Sequence, residues 1–224
     1  MYKIETHLHT ALCSSCGFLD VETILSGYAE AGYSAITVTD HFSRYNFGQQ
    51  NWSTDKAHWS VESFLEGYRQ LSALAKDFGL TVYRGAEVRF DGSPNDYLLY
   101  HYPLSLLEDP DSVFKMGLAA FYEQCHAAGA LLIQAHPFRE TSTPGDLRFL
   151  DGLEIMNTHP RHDNENHRAQ ALVAENPHLI GSGGSDCHRL PDIGGGGIAA
   201  GILPKNDAEF AALLKSKQFE LLGK

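Results

Sequence analysis

The sequence is poor in basic residues and has no long apolar segment. Its 17 lysine and arginine residues stand against 28 aspartate and glutamate residues, a formal net charge of −11. Such a balance gives no general attraction to a polyanion, so we expect no long nucleic acid as partner and only local recognition of phosphate. No apolar run reaches the length of a membrane span, and the first five residues lead into a predicted strand without a signal-peptide pattern. We therefore expect a cytoplasmic protein without a membrane segment.

Cysteine is also scarce. Four cysteines in 224 residues do not form a disulfide framework. Cys13 and Cys16 form a C-x-x-C motif, which a turn carrying two incidental thiols explains better than a redox or zinc site. The chain length fits one domain, residues 1–224, and is near the lower end for α/β barrels.

Apolar runs alternate with amphipathic segments along the chain, a pattern typical of βα units. The predicted strands are residues 3–9, 35–39, 80–87, 97–100, 130–135, 152–156 and 179–183, with a further short strand at 198–202. The predicted helices are residues 20–31, 61–78, 113–128, 165–175 and 207–215. Gly32, Gly79 and Gly129 stand where left-handed helix caps are expected. Together these elements predict an α/β fold made of βα units.

Two segments have no clear period. Residues 42–60 are aromatic and polar, and predict a loop that either shapes a pocket mouth or packs on the surface. Residues 194–197 are four consecutive glycines, which predict a flexible turn.

Histidine is abundant, with 12 residues. His7 and His9 flank Leu8 in the first strand, so period-2 geometry places both imidazoles on one face. By themselves they are either metal ligands or two polar residues on a wet face.

Further ionisable residues stand at or beyond the C-terminal ends of the predicted strands. They are Asp40, His41, Glu87, His101, His136, Asp186 and His188. In a parallel barrel these ends converge on one face, where barrel enzymes build their active sites. Crowded imidazoles and carboxylates cost desolvation and repulsion unless cations bind between them. The mixed nitrogen and oxygen set predicts two or three divalent ions of zinc, manganese or iron, with Glu87 as a bridge.

These motifs resemble, in order, those of the PHP (polymerase and histidinol phosphatase) domain family of metal-dependent phosphoesterases. The resemblance rests on HLH (7–9), TDH (39–41), GAE (85–87), the histidine after DYLLY, AHP (135–137) and SDCH (185–188). It implies a trinuclear centre in a distorted seven-stranded barrel. The implied ligands are His7, His9, Glu87 and Asp186 for one ion, Glu87, His101 and His136 for a second, and His41 with His188 for a third. Asp40 is implied as a residue that orients a ligand imidazole.

One segment departs from the family pattern. Family members commonly supply an aspartate or histidine to the third ion from a segment like HTxxSDG, and this chain has HTALCSSCG. The acidic ligand is missing, so the third site is weak, completed by water, or completed by Cys13 or Cys16 as a thiolate.

The implied reaction is hydrolysis of a phosphate ester by a metal-activated hydroxide. We expect a phosphatase similar to histidinol phosphatase that acts on a small phosphorylated substrate and releases inorganic phosphate. Arg139 and Arg161 are the preferred phosphate clamps among five candidates, which also include Arg44, Arg89 and Arg189, because an arginine fork meets phosphate oxygens in pairs.

Three other functions compete with this one. The family resemblance also admits nucleotide phosphodiesterase or exonuclease activity. A PHP module that binds metal without turnover would have lost ligands, and only the third-ion position departs here. An amidohydrolase-like barrel shares the His-x-His of the first strand, but the arginines favour phosphate over a neutral amide.

Overall fold

The computed structural model describes residues 1–49 and 60–223. The strands are β1 (Tyr2–Leu8), β2 (Tyr33–Val38), β3 (His41–Phe42), β4 (Thr81–Arg89), β5 (Asp96–Tyr100), β6 (Leu131–Gln134), β7 (Gly152–Asn157), β8 (Ile180–Gly184), β9 (Gly197–Ala200) and β10 (Phe219–Leu222). The helices are α1 (Val21–Glu30), α2 (Arg44–Gln49), α3 (Val61–Phe64), α4 (Glu66–Leu74), α5 (Pro110–Met116), α6 (Leu118–Ala128), α7 (Asn166–Glu175) and α8 (Asp207–Ser216). No helix within the described ranges is long and apolar enough to cross a membrane.

The strands form a nearly closed barrel, which confirms the predicted fold class. Their order is β10-β9-β1-β2-β4-β5-β6-β7-β8, and β3 pairs with β4. The segment after β8 returns to β1, where the His9 amide donates to the Cys187 carbonyl at 3.0 Å and the Cys187 amide donates to the His7 carbonyl at 3.1 Å. The path has two strands more than the predicted seven, because β9 and β10 add an antiparallel pair beside β1.

Strand β5 breaks the parallel pattern. It pairs antiparallel with both β4 and β6. A parallel crossover needs a dozen or more residues, and the short connection 90–95 can only turn the chain back as a hairpin. Asp96, the first residue of β5, therefore lies at the end of the barrel where the parallel strands finish, and the last residue of β5 lies at the opposite end.

Two predicted helices are interrupted. The segment 61–78 divides into α3, α4 and a 3-10 turn over Ala75–Phe78. The segment 113–128 divides at Gly117, whose φ of 77° is a left-handed conformation that an α-helix cannot contain. Gly79 and Gly129 are the left-handed caps that the sequence predicts.

Two predicted loops are more ordered than expected. Residues 44–49 of the predicted loop 42–60 form α2, and residues 50–59 lie outside the described part of the chain. The glycine run is closely packed and not a free turn. A Cβ on Gly196 would stand 2.6 Å from the Gly184 carbonyl oxygen, and one on Gly197 would stand 2.3 Å from that of Ile4. These glycines let the chain pass directly against the backbones of β8 and β1.

Packing closes the end of the barrel remote from the predicted site. Phe210 of α8 is buried and stacks on Tyr83 of β4, with ring centroids 4.7 Å apart. The same ring meets Tyr100 of β5 edge-on at 5.5 Å. The charged and imidazole side chains of the predicted site lie at the other end of the barrel.

Candidate metal centre

The ends of β1, β3, β4, β6 and β8 bring seven of the predicted ligands together. These are His7, His9, His41, Glu87, His136, Asp186 and His188. Five of them are at most 4% exposed, namely His7, His9, Glu87, His136 and Asp186. A register irregularity in β1 between Glu5 and Leu8 helps to place them. There the Glu5 carboxylate accepts hydrogen bonds from the Thr6 and His7 amides at 2.9 Å. The Thr6 and His7 amides therefore have a hydrogen-bond acceptor although the strand pairing is irregular here.

The first ligand group surrounds the two imidazoles of HLH. His7 Nε2 lies 3.1 Å from His9 Nε2, 3.3 Å from Glu87 Oε1 and 3.4 Å from Asp186 Oδ1. His9 Nε2 lies 3.2 Å from the same Asp186 oxygen. Four potential ligand atoms therefore point at one small, buried volume.

The tautomers of these imidazoles fit a metal ion in that volume. His7 Nδ1 donates to Glu154 Oε1 at 2.9 Å, so in a neutral ring the lone pair is on Nε2. His9 Nδ1 faces Ser14 Oγ at 3.1 Å, and that hydroxyl gives its proton to Asp40 Oδ1 at 2.6 Å, so the free lone pair of His9 is also on Nε2. Two lone pairs and two carboxylate oxygens then face one another with no donor between them. A divalent cation removes this repulsion.

A proton substitutes for the cation in the metal-free protein. Burial lowers the pKa of His7, but the charges of Asp186, Glu154 and Glu87 outweigh it and hold that pKa well above the usual range. The pKa of His9 is held well below its usual range by burial and by the neighbouring His188 and His41.

The second group contains Asp96 in place of His101. His136 Nε2 lies 3.1 Å from Glu87 Oε1 and 3.9 Å from Asp96 Oδ2. The prediction that His101 joins this group is wrong, because β5 runs antiparallel and carries its last residue away from the site. His101 instead lies beside Arg84 and Asn206 in a separate pocket.

The third group contains His41, His188 and Cys16. His188 Nε2 lies 3.1 Å from Cys16 Sγ, and the His41 and His188 nitrogens lie within 4.8 Å of each other and of a His9 nitrogen. Burial raises the pKa of the Cys16 thiol, but the charge of His41 and a hydrogen bond with His188 bring it down to about 6. Burial, Glu87 and Cys16 act together on His41, whose pKa stays well above its usual range because the two acidic groups outweigh burial.

Glu87 connects all three groups. Its Oε1 faces His7 and His136, and its Oε2 lies 2.6 Å from His41 Nδ1 and 3.4 Å from His9 Nε2. The side chain is fully buried, and Oε2 has no hydrogen bond of good geometry within the described residues. A carboxylate with both oxygens directed at imidazoles is suited to bridge neighbouring ions.

Asp40 reaches the centre through Ser14. It accepts hydrogen bonds from the Thr10 amide at 2.7 Å, the Thr10 hydroxyl at 2.8 Å and the Ser14 hydroxyl. Ser14 Oγ in turn accepts from the His41 amide at 3.0 Å and faces His9 Nδ1. Burial raises the pKa of Asp40 to about 6, against the hydrogen bonds from Ser14 and Thr10 that lower it. Asp40 is thus placed to orient a ligand imidazole indirectly.

Asp186 and His136 have left-handed backbones, with φ values of 51° and 28°. Such conformations in residues other than glycine cost about 1–3 kcal/mol each and occur at functional sites. The Asp186 carbonyl is also a fixed acceptor, at 2.8 Å from His188 Nδ1 and 2.9 Å from His159 Nδ1. One strained residue thereby supplies a carboxylate and orients two imidazoles.

Asp96 and His159 are candidate ligands that the sequence did not predict. Asp96 stands at the start of a strand, and it becomes a candidate only if that strand is recognised as antiparallel. His159 follows the end of β7 in NTHP, which is the same signal that identified the other strand-end histidines. Its nitrogen lies within 4.8 Å of ligand atoms of Asp186 and His188.

Glu154 holds two elements of the centre. Its fully buried carboxylate accepts from His7 Nδ1 through Oε1, and through Oε2 from the His136 amide at 3.0 Å and Asn157 Nδ2 at 2.8 Å. Gly184 makes room for this arrangement, since a Cβ there would stand 2.5 Å from the His7 Cβ and 2.9 Å from Glu154 Oε1.

We expect Glu154→Gln to weaken metal binding about 10- to 100-fold, the usual effect of removing a partner that orients a ligand. Glutamine has one acceptor oxygen, so its amide nitrogen must face either the His7 N–H or the His136 and Asn157 donors. Equilibrium dialysis against zinc or manganese measures the loss. Glu175→Gln, at an exposed position of α7, is the matched control, and equal affinities for both variants would contradict the assigned role.

An open cavity of about 690 Å³ adjoins the metal centre. Its wall contains Arg89, Arg139, Arg161 and Arg189, together with Cys16, His41, His136, His159 and His188. The predicted clamps Arg139 and Arg161 therefore lie beside the ligands. The net charge of the chain is negative, but this wall contains four arginines beside the carboxylates Asp96, Glu140 and Asp186.

The four arginines differ in how far they are neutralised. Arg89 forms a two-bonded ion pair with Asp96, and Arg161 forms one with Asp192 at 2.7 and 2.8 Å. Arg139 donates to Asp186 at 2.6 Å, and its Nη1 has no hydrogen bond within the described residues. Arg44 lies elsewhere and pairs with Asp91 and Asp111.

The comparisons with known proteins agree with this geometry. The family model of the PHP domain matches residues 5–182. No curated protein sequence matches the chain. Among solved structures, a two-domain protein from Bacteroides vulgatus that contains a predicted PHP-like metal-dependent phosphoesterase is similar, with a TM-score of 0.67 and 14% identity. That match covers 99% of this chain and 64% of the other, so this chain spans less than two thirds of that protein.

Two further structures share the fold. PsfC from Pseudomonas syringae has a TM-score of 0.61 and 18% identity, over 100% of this chain and 91% of its own. PfuEndoQ, a lesion-specific endonuclease from Pyrococcus furiosus, has a TM-score of 0.62 and 12% identity, over 98% of this chain and 57% of its own. The family-model match covers well over half of the chain and includes the HLH, TDH, GAE and AHP motifs. This chain belongs to the PHP domain family.

Proposed function

We propose that the protein is a metal-dependent phosphoesterase that hydrolyses a small phosphate monoester and releases inorganic phosphate. The observation that carries the proposal is the position of the buried ligand cluster at the base of an arginine-lined cavity. The ligands fit two or three divalent ions of zinc, manganese or iron, because imidazole and carboxylate donors are mixed. His7, His9, Glu87 and Asp186 would hold the first ion, and Glu87, His136 and Asp96 the second.

Bound divalent ions supply a water molecule of lowered pKa and neutralise the negative charge of a phosphoryl group. The chain's own residues bind and orient the substrate. Arg139 lines the cavity wall, where its Nη2 donates to Asp186 and its Nη1 has no hydrogen bond to any described residue. It can therefore donate to a phosphate oxygen while it remains fixed by the ligand shell.

Charge and cavity size favour a small substrate. The net charge of −11 opposes long-range attraction of nucleic acid. The cavity of about 690 Å³ lies within the range of small-molecule sites, roughly 300–1,000 Å³. Phe18 is 63% exposed at the cavity rim, where the Arg189 guanidinium stacks on its ring. A phosphate attached to a compact organic group fits this combination of an apolar rim and an arginine-containing wall.

A phosphodiesterase is the second candidate. The observation that favours it is the structural similarity to the endonuclease PfuEndoQ. A diester carries one charge fewer than a monoester dianion, so it needs fewer cationic contacts. Four arginines line the cavity, and two of them, Arg139 and Arg189, form no two-bonded carboxylate pair within the described residues, so the monoester is the first choice.

The test is phosphate release from a panel of sugar, amino-alcohol and nucleotide monoesters by protein loaded with manganese or zinc. An aryl phosphodiester and an aryl amide are assayed in parallel. Turnover of monoesters that is lost in His9→Ala supports the proposal. Turnover of the diester alone would replace it with the second candidate, and bound metal without turnover of any compound would indicate a metal-binding module.

We expect Arg139→Met to reduce kcat/KM for the best monoester on the order of 100-fold, since a charge-assisted contact contributes up to about 3 kcal/mol. Arg161→Met should reduce kcat/KM only on the order of tenfold or less, because Asp192 already neutralises Arg161. Without Arg161, Asp192 still accepts hydrogen bonds from the His188 and Arg189 amides at 3.0 and 2.9 Å. Steady-state kinetics at fixed metal occupancy measure both. A larger effect at Arg161 would contradict the assigned order of the two clamps.

A further inference from the structure

The C-x-x-C motif places its two thiols in different environments. Cys13 is fully buried, and its sulfur accepts a hydrogen bond from the Gly67 amide at 3.2 Å, on the side of α4. Cys16 lies in the wall of the cavity, with its sulfur 3.1 Å from His188 Nε2. Only the second thiol therefore reaches the metal centre.

The loop that carries Cys16 is held by three hydrogen bonds to two other segments of the chain. The Phe18 amide donates to the His188 carbonyl at 2.9 Å, which joins the loop to the segment after β8. The Ser15 amide donates to Asn46 Oδ1 at 2.8 Å, and Asn46 Nδ2 donates to the Cys13 carbonyl at 2.6 Å. The position of the thiol is thus set by the backbone on both sides of it.

The neighbouring side chains present ligand atoms to the same point. His188 donates its Nδ1 proton to the Asp186 carbonyl, so Nε2 carries the lone pair that faces Cys16. His41 and His188 present nitrogens within 4.8 Å of each other, and both line the cavity wall that contains Cys16. Glu87 Oε2, fully buried and without a hydrogen bond within the described residues, lies 2.6 Å from His41 Nδ1. This orphaned carboxylate oxygen is an independent sign that a cation belongs here.

A His9 nitrogen lies in the same cluster as those of His41 and His188, but it faces the first ligand group. Its Nε2 faces His7, Asp186 and Glu87, and its Nδ1 faces Ser14. One lone pair binds one ion, so His9 serves the first ion. The position beside it is left with two imidazoles and needs a further anionic ligand.

We propose that Cys16 is that ligand, and that it binds a divalent ion as a thiolate together with His41 and His188. This assignment rests on the metal centre of the proposed function and identifies the residue that replaces the missing acidic ligand of the segment HTALCSSCG. Three protein ligands leave one position open for water or substrate. A sulfur ligand selects zinc, iron or cobalt over magnesium and manganese at this position.

Cobalt spectroscopy tests the assignment without any measurement of activity. A thiolate bound to Co²⁺ gives an intense charge-transfer band in the near ultraviolet, which nitrogen and oxygen ligands do not give. We expect the band in the wild-type protein loaded with excess Co²⁺, an equal band in Cys13→Ser, and none in Cys16→Ser. Elemental analysis should show about one ion fewer per chain in Cys16→Ser than in the wild type.

A third variant separates ligand loss from misfolding. Cys16→Asp restores an anionic oxygen, so we expect it to recover the lost ion without recovering the charge-transfer band. Absence of the band in the wild type, or its persistence in Cys16→Ser, would overturn the assignment. A band that depends on Cys16 in a protein that hydrolyses no phosphate ester would uphold this ligand and reject the proposed function.

Discussion

Replacement of His136 by alanine is expected to remove hydrolysis of the best monoester, whereas His101→Ala should leave it unchanged. His136 Nε2 lies 3.1 Å from Glu87 Oε1, while the antiparallel course of β5 carries His101 to the opposite end of the barrel. Loss of an ion removes several kcal/mol of transition-state stabilisation, and each 1.4 kcal/mol is about tenfold in rate. We therefore expect a decrease on the order of 100-fold or more in kcat/KM for the first variant.

Asp96→Asn completes this experiment. The change keeps the shape of the side chain but removes the charge that faces His136 and pairs with Arg89. We expect it to reduce activity and metal content in the same direction as His136→Ala, with metal counted by elemental analysis. A strong loss in His101→Ala, with normal folding by circular dichroism, would show that the second ion does not lie where β4 and β6 place it.

Metal loading is expected to raise the melting temperature, and to raise it more as the pH increases. A ligand at 100 times its Kd stabilises a fold by about 2.7 kcal/mol, or roughly 5–10 °C for a chain of this size. In the metal-free protein the pKa values of His7 and His41 lie well above the usual range because of the surrounding carboxylates and, for His41, Cys16. A bound ion must displace these protons, so the apparent affinity falls as the pH falls.

The metal-free protein is expected to lose stability as the pH rises. This loss widens the gap in melting temperature between the metal-loaded and the metal-free protein. Groups with raised pKa values stabilise the fold fully below the unfolded histidine pKa of about 6.5, and this stabilisation is lost as the pH rises through their folded pKa values. Differential scanning fluorimetry between about pH 7 and pH 9, with and without zinc, measures the gap. His9→Ala should reduce the gap, because it removes a ligand of the first ion, and His126→Ala at an exposed position of α6 should preserve it. A gap that narrows with rising pH would contradict the coupling of metal binding to these protons.

Most of the centre could be predicted because its residues follow apolar strands directly. His7, His41, His136 and Asp186 come at or just after predicted strands, and parallel strands of a barrel end on one face. Clustering of imidazoles and carboxylates is costly without cations, which ties residue type to metal binding. These arguments need only local periodicity and chain order.

The partners of the charged residues could not be predicted in the same way. Arg139 and Arg161 looked equivalent in the sequence, but Arg139 meets Asp186, which follows β8, and Arg161 meets Asp192 from the next turn. Such pairs join segments far apart in the chain, and their geometry depends on how the loops pack at the barrel mouth. The relay from Asp40 to His9 likewise needs Ser14 at the right place.

The sequence by itself determined the barrel class, the location of the chemistry at the strand ends and five of the six strand-end motifs, all except the one that carries His101. Only the tertiary structure decided the direction of β5, which exchanges His101 for Asp96, and the direction of the C-x-x-C loop, which points Cys16 and not Cys13 at His188. The physical reason is that hydrophobic periodicity reports which face of a strand is buried but is the same for both strand directions. The direction of a strand or a thiol is set by connections and hydrogen bonds between distant segments, and these exist only in the folded chain.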